Sequence, residues 1–117
     1  MTIRECYEAM GADFDSVLIR LCSEAMIQKF AMKFLDDHTF GQLTSAITEQ
    51  RIDDAFRAAH TLKGVCVNLG FDSLSQASSE LTEMLKTGSF DGIDELYEKT
   101  AVEYRRTIDA LSKVRQD

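Results

Sequence analysis

The sequence has no proline. No proline ring therefore kinks or stops a helix, which favours long uninterrupted helices. It has no apolar run near the roughly 20 residues that a membrane span requires, and Met1-Thr2-Ile3-Arg4-Glu5 opens no signal-peptide h-region. Positive charge is also short: 13 Lys and Arg against 20 Asp and Glu give a net charge of −7. That balance argues against nucleic acid as a partner, since such a partner needs a basic face. Cysteines are few and odd in number. Cys6, Cys22 and Cys66 contain no C-x-x-C pair and read as reduced thiols of a cytoplasmic protein. The two histidines, His38 and His60, fall on different elements and neither belongs to a Glu-x-x-His pair. The ligand set of a metal-binding four-helix bundle is thus missing, and no metal site is expected. The five methionines mostly fall on apolar stripes and read as core residues. No glycine-rich nucleotide-binding segment exists and there is no room for an ATP-binding domain, which excludes a histidine kinase.

What is present is helical periodicity throughout. With 117 residues, 44% of them hydrophobic and 28% charged, the chain reads as one globular domain over residues 1–117. Thr2 and Glu5 form a capping box for a first short helix, which Gly11 stops. Asp13-Phe14-Asp15 starts a second, with Val17, Leu18, Leu21 and Cys22 as its apolar side. Ser23 caps a third, carrying Met26, Ile27, Phe30, Phe34 and Leu35. Thr39 and Gln42 repeat the capping-box spacing. Four helices then follow at 39–50, 52–69, 72–87 and 91–115, with Asp72 as a cap and Asp91 as a start. In the last, Tyr97, Ala101, Tyr104, Ile108 and Leu111 alternate spacings of four and three, the seam of a bundle helix. Short connections imply antiparallel neighbours. The expectation is an all-α fold: an antiparallel up-down four-helix bundle over 39–115, with additional short N-terminal helices over 1–37. It is expected to be a monomer, and the capped N-terminal helices point to a free-standing protein.

Within the helix over 52–69, apolar or small residues fall at 52, 55, 59, 62, 66 and 69. At about 100° per residue, His60 lies roughly 130° from the centre of that stripe, towards solvent. Lys63 and Gly64 lie one turn along on the same side. A glycine inside a helix costs about 1 kcal/mol relative to alanine. Gly64 therefore reads either as clearance for something approaching the backbone or as a kink or close helix contact. Lys63 is either a partner for negative charge beside His60 or an ordinary solvated lysine. Arg57, one turn before His60, either adds positive potential or is simply solvated. Phe56 and Val67 flank the histidine, Phe56 leaning to packing and Val67 to an apolar docking patch. Asn68 and Gly70 read as the end of the helix. Cys66 falls on the core stripe. His38, between Asp37 and Thr39, reads as a turn or cap residue.

His60-Thr61-Leu62-Lys63-Gly64, followed by Asn68-Leu69-Gly70, resembles the signature of histidine-containing phosphotransfer (HPt) domains. Lys33-Phe34-Leu35-Asp36-Asp37, Ala55-Phe56-Arg57-Ala58-Ala59 and Leu81-Thr82-Glu83 also fit that family, so the resemblance spans roughly residues 24 to 115. It implies a helical bundle that carries a phosphoryl group on His60, through Nε2. The group would come from an aspartyl phosphate on a receiver domain and pass to another receiver. Partners would be response-regulator receiver domains or a hybrid histidine kinase. No cofactor of the chain's own is implied; Mg²⁺ would sit on the receiver. Lys63 would stabilise the moving phosphoryl oxygens and favour the neutral, nucleophilic imidazole. The chain would be a carrier and not an enzyme. The alternative is a non-catalytic HPt-like adaptor that binds receiver or kinase domains, but such relatives usually lack the histidine. Val65, where many family members have a small polar residue, is the departure from the pattern. It bears on packing and partner preference more than on chemistry.

Overall fold

The structure is a computed structural model and describes residues 1–114. The order is α1 (Ile3–Ala9), α2 (Phe14–Leu21), α3 (Glu24–Lys33), a 3-10 turn (Phe34–Asp36), α4 (Thr39–Thr48), α5 (Ile52–Leu69), α6 (Asp72–Leu85) and α7 (Ile93–Ser112). Among the described residues there is no strand. α5 packs between α4 and α6, and α6 packs on α7. α4 meets α7 through its aromatic side chains: Phe40 stacks on Tyr104 at 4.2 Å, and the Thr44 and Tyr97 hydroxyls hydrogen-bond at 2.8 Å. The four-helix bundle is as expected. Residue 115, the expected end of its last helix, lies outside the described residues, as do 116 and 117.

α5 is the central helix because one side of it is small and apolar. Ala55, Ala58, Ala59, Leu62, Cys66 and Leu69 are buried, and the alanines let α4 and α6 approach closely. Asp53 and Asp54 in its first turn complement the positive end of the helix dipole. Gly70 ends it in the left-handed region, at φ +75°. The Gly70 N–H then donates to the Val67 carbonyl and the Phe71 N–H to the Cys66 carbonyl, closing the last turn.

The N-terminal helices are joined to the bundle by aromatic rings. Tyr7 meets Phe14 at 5.2 Å and Phe71 at 5.6 Å; Phe34 meets Phe71 at 5.3 Å and Tyr104 at 5.8 Å. Each pair lies in the range where edge-to-face or offset contact is favourable. The line of rings runs from α1 and α2 across the start of α6 to α7.

Several local expectations need correction. α4 is not opened by a Thr39–Gln42 box. Thr39 is buried inside the first turn, and its N–H is bound by the Asp37 carboxylate at 2.7 Å. Asp72 lies within the first turn of α6, after Phe71 at the cap position, so it acts through its charge on the helix dipole and not as a cap. The last helix starts at Ile93, because the Asp91 N–H is held in a turn by the Ser89 hydroxyl. α4 stops at Thr48 and α6 at Leu85, two residues short of expectation. The methionines are not core: Met1, Met26 and Met84 are exposed and Met10 and Met32 only partly covered. Cys22 is exposed at the left-handed end of α2, whereas Cys6 and Cys66 are buried.

Candidate functional site

The uncovered side of α5 runs through Arg57, His60, Thr61, Gly64, Val67 and Asn68, all exposed, with Lys63 partly covered at its margin. At about 100° per residue, His60 falls near the middle of this arc. Lys63, Val67 and Phe56 flank it on one side; Gly64, Arg57, Asn68 and Thr61 flank it on the other. Arg57 and Lys63 each lie one turn from the imidazole, where Cβ atoms on a helix are about 5–6 Å apart. Among the described residues neither cation is held in a salt bridge. Arg51, by contrast, is tied to Glu49 and Asp54. The middle of α5 thus presents two uncommitted positive charges around one imidazole, on a chain whose net charge is −7.

The two cations face different grooves. Arg57 borders a shallow depression against α4, shared with His38, Asp54 and Thr61. Lys63 borders one against α6 and α7, whose other walls include Glu80, Glu83, Glu95 and Lys99. The Lys99–Glu80 pair at 2.8 Å neutralises part of that second groove.

Gly64 is open. A Cβ built there meets nothing within 4 Å, and α5 runs unbroken through it. The kink and helix-contact readings are therefore excluded, leaving an uncovered stretch of backbone one turn from His60. Val67 is 50% exposed, a large apolar side chain left in the open two turns beyond the histidine.

Phe56 is half-buried against the core, and its ring also stacks on His60, with centroids 6.0 Å apart and planes at 20°. Sequence reasoning placed Phe56 in packing and missed this second contact. The i, i+4 spacing of the two rings was the available signal. No hydrogen bond among the described residues engages either imidazole nitrogen.

Two residues that sequence reasoning did not single out hold the C-terminal end of α5. The buried Tyr7 hydroxyl donates to the Leu69 carbonyl at 2.6 Å. The Arg20 guanidinium donates to the carbonyls of Val67 and Asn68 at 3.1 and 3.2 Å. The bonds to Leu69 and Asn68 satisfy carbonyls that a helix end leaves without partners. The bond to Val67 adds to the one that its carbonyl accepts from the Gly70 N–H, and Arg20 also opposes the negative end of the dipole. Asn68 contributes its main chain to this arrangement, and Gly70 its backbone geometry.

Cys66 lies on the opposite side of α5. Burial pushes its thiol up to about 12, so it stays protonated and inert near neutral pH. Among the described residues no group of three or more His, Cys, Asp or Glu is gathered as a metal site, and no helix is long and apolar enough to cross a membrane.

The family model for the Hpt domain matches residues 26–116, most of the chain. The protein belongs to the Hpt-domain family. Such a domain has a histidine phosphotransfer role in two-component signalling and is a phosphoryl carrier, not a kinase domain. Hpt domains work with receiver domains and histidine kinases. No match to the chain was found among curated proteins or among solved structures. In this Hpt domain, α1 and α2 precede the matched segment, so Tyr7 and Arg20 reach α5 from outside it.

Proposed function

We propose that His60 accepts a phosphoryl group from the aspartyl phosphate of a receiver domain and passes it to a second receiver. The observation that carries this reading is the position of His60. It is central on the uncovered face of α5, between two cations that hold no salt bridge among the described residues, and one turn from an open glycine.

In the forward step, the lone pair of Nε2 on a neutral imidazole attacks phosphorus. The P–O bond to the receiver's aspartate breaks as the N–P bond forms, and the carboxylate leaves. The second step reverses this chemistry on another receiver. Phosphoryl transfer depends chiefly on positioning and on stabilising charge at the equatorial oxygens. Lys63 supplies such charge from one side and Arg57 adds potential from the other. Gly64 lets the partner's loops reach the backbone beside His60, and Val67 gives the partner an apolar contact. Mg²⁺ is expected on the receiver, where it offsets phosphate charge; the side chains of this protein supply the acceptor and the two cations. The product phosphohistidine stays at the surface, so no buried charge has to be accommodated.

The test is incubation with phosphorylated receiver domains, followed by an assay for protein-bound phosphate that is labile in acid and stable in alkali. The expected result is label on wild type and none on His60→Gln. Label retained by His60→Gln would overturn the assignment, and no transfer from any receiver of the source organism would favour a binding adaptor.

A further inference from the structure

We infer that Phe56 is a positioning residue for His60, holding the imidazole in one orientation with both ring nitrogens open to an incoming phosphoryl group. This rests on the reading that His60 is the phosphoryl acceptor.

An exposed histidine on a helix ordinarily samples several rotamers, and an acceptor that must be ordered at the moment of attack loses rate. In many proteins a hydrogen bond from one ring nitrogen fixes the other. Here that device is missing: among the described residues no side chain or main-chain group binds either nitrogen of His60. The ring contact it does have is with Phe56, at 6.0 Å and nearly parallel at 20°.

The two rings differ in mobility. Phe56 is half-buried and packed against the hydrophobic core, so its ring is fixed from below. His60 is exposed. The fixed ring therefore restrains the free one. Contact through the faces leaves the imidazole edge, which carries both nitrogens, unobstructed. The spacing of four residues puts the restraint on the N-terminal side of His60, away from Gly64, so the backbone opening stays clear.

The test uses the full chain and phosphoramidate, a small donor that needs no partner. In that reaction the P–N bond of phosphoramidate breaks, ammonia leaves, and the N–P bond to the imidazole forms. Phe56→Leu keeps an apolar side chain against the core but removes the ring face; Phe56→Tyr keeps the face. Circular dichroism confirms that each variant is folded. Two quantities are read: the imidazole proton shifts of His60, with His38 as internal reference, and the rate of labelling. For Phe56→Leu the His60 shifts should move as the ring current is lost, and labelling should slow by about three- to tenfold, the range an aromatic pair contributes. Phe56→Tyr should match wild type in both. Unmoved shifts in Phe56→Leu would overturn the stacking, and moved shifts with an unchanged rate would overturn the positioning role. Equal slowing in Phe56→Tyr would also overturn it, since the ring face would then not be the cause. If His60→Gln takes up label at the wild-type rate, the acceptor assignment itself fails; the shift measurement separates that outcome from a failure of the stack.

Discussion

The hydroxyl of Tyr7 donates to the carbonyl of Leu69 across 62 positions of sequence, at 2.6 Å and out of contact with water. It anchors the first helix of the chain to the last residue of the helix that carries His60. Burial raises the Tyr7 phenol above its ordinary range, so it remains a neutral donor at working pH. Tyr7→Phe keeps the ring and its contacts with Phe14 and Phe71 but leaves the Leu69 carbonyl without this donor. The expected loss is about 1–3 kcal/mol, the cost of a buried unsatisfied polar group. Urea titration measures it, and the labelling rate of the folded fraction should change little.

Gly70→Ala should be the more damaging change at the same end of α5. The residue sits at φ +75°, and an added Cβ would collide with the side chain of Val17. Strain and clash act together, so a loss of about 2 kcal/mol or more is expected. Because Val17 cannot move without disturbing α2, the thermal midpoint should fall with no compensating gain elsewhere.

How much of this was legible in the sequence depended on the range of the interaction. The stripe at 52, 55, 59, 62, 66 and 69 identified the buried side of α5, where only Ile52 is half-buried, and hence the exposure of His60, because helix geometry is local. The core polar residues were not legible in that way. Thr82, Thr100 and Thr107 are buried because each hydroxyl donates to the carbonyl four residues back, at 2.7 to 2.8 Å. Met26 and Met84 were assigned to the core by hydrophobicity. The buried lines run instead through Ile27 and Ala31 of α3 into Phe34 of the 3-10 turn, and through Leu74, Ala77, Ser78, Leu81 and Leu85 of α6. Tyr7 and Arg20 carried no local signal at all, since their partners lie 62, 47 and 48 residues away. At the site, the motif residues were legible, and the Phe56 ring contact was available from spacing but overlooked.

Thiol chemistry should separate the three cysteines. Cys22 is exposed and should react quickly with a disulfide reagent, while Cys6 and Cys66 should react only on unfolding. Burial raises the Cys6 thiol to about 11 and the Cys66 thiol to about 12, from an unfolded value of 9.0. The folded state thus holds protons that the unfolded state releases. Their contribution to stability is complete below pH 9.0 and declines as pH rises from there towards the folded values. Cys66→Ala should flatten that decline in urea titrations at alkaline pH; an equally steep decline would mean that other groups cause it.

Lys63→Ala should leave helicity and stability close to wild type, because Lys63 makes no salt bridge among the described residues. Labelling by a phosphorylated receiver should slow by about tenfold, as expected when one charge-stabilising contact of roughly 1.4 kcal/mol is lost from a transition state. Lys63→Arg should recover most of the rate. A large loss of helicity in Lys63→Ala would show instead that the side chain supports the α5–α6 packing.

Gly64 separates stability from partner access. Alanine there meets no other atom within 4 Å and removes a glycine from a helix interior, so Gly64→Ala should stabilise the fold by about 0.5–1 kcal/mol. Gly64→Leu should also fold, since the added atoms point into open space. It should still take up label from phosphoramidate, which is small enough to reach His60 around the new side chain. Transfer from a phosphorylated receiver should fall steeply, because the partner's surface has to approach the backbone where the side chain now stands. Equal loss with both donors would place the effect on the imidazole itself, and no loss with either would remove Gly64 from the docking surface. The comparison of a small donor with a large one is decisive because the fold contributes the same to both.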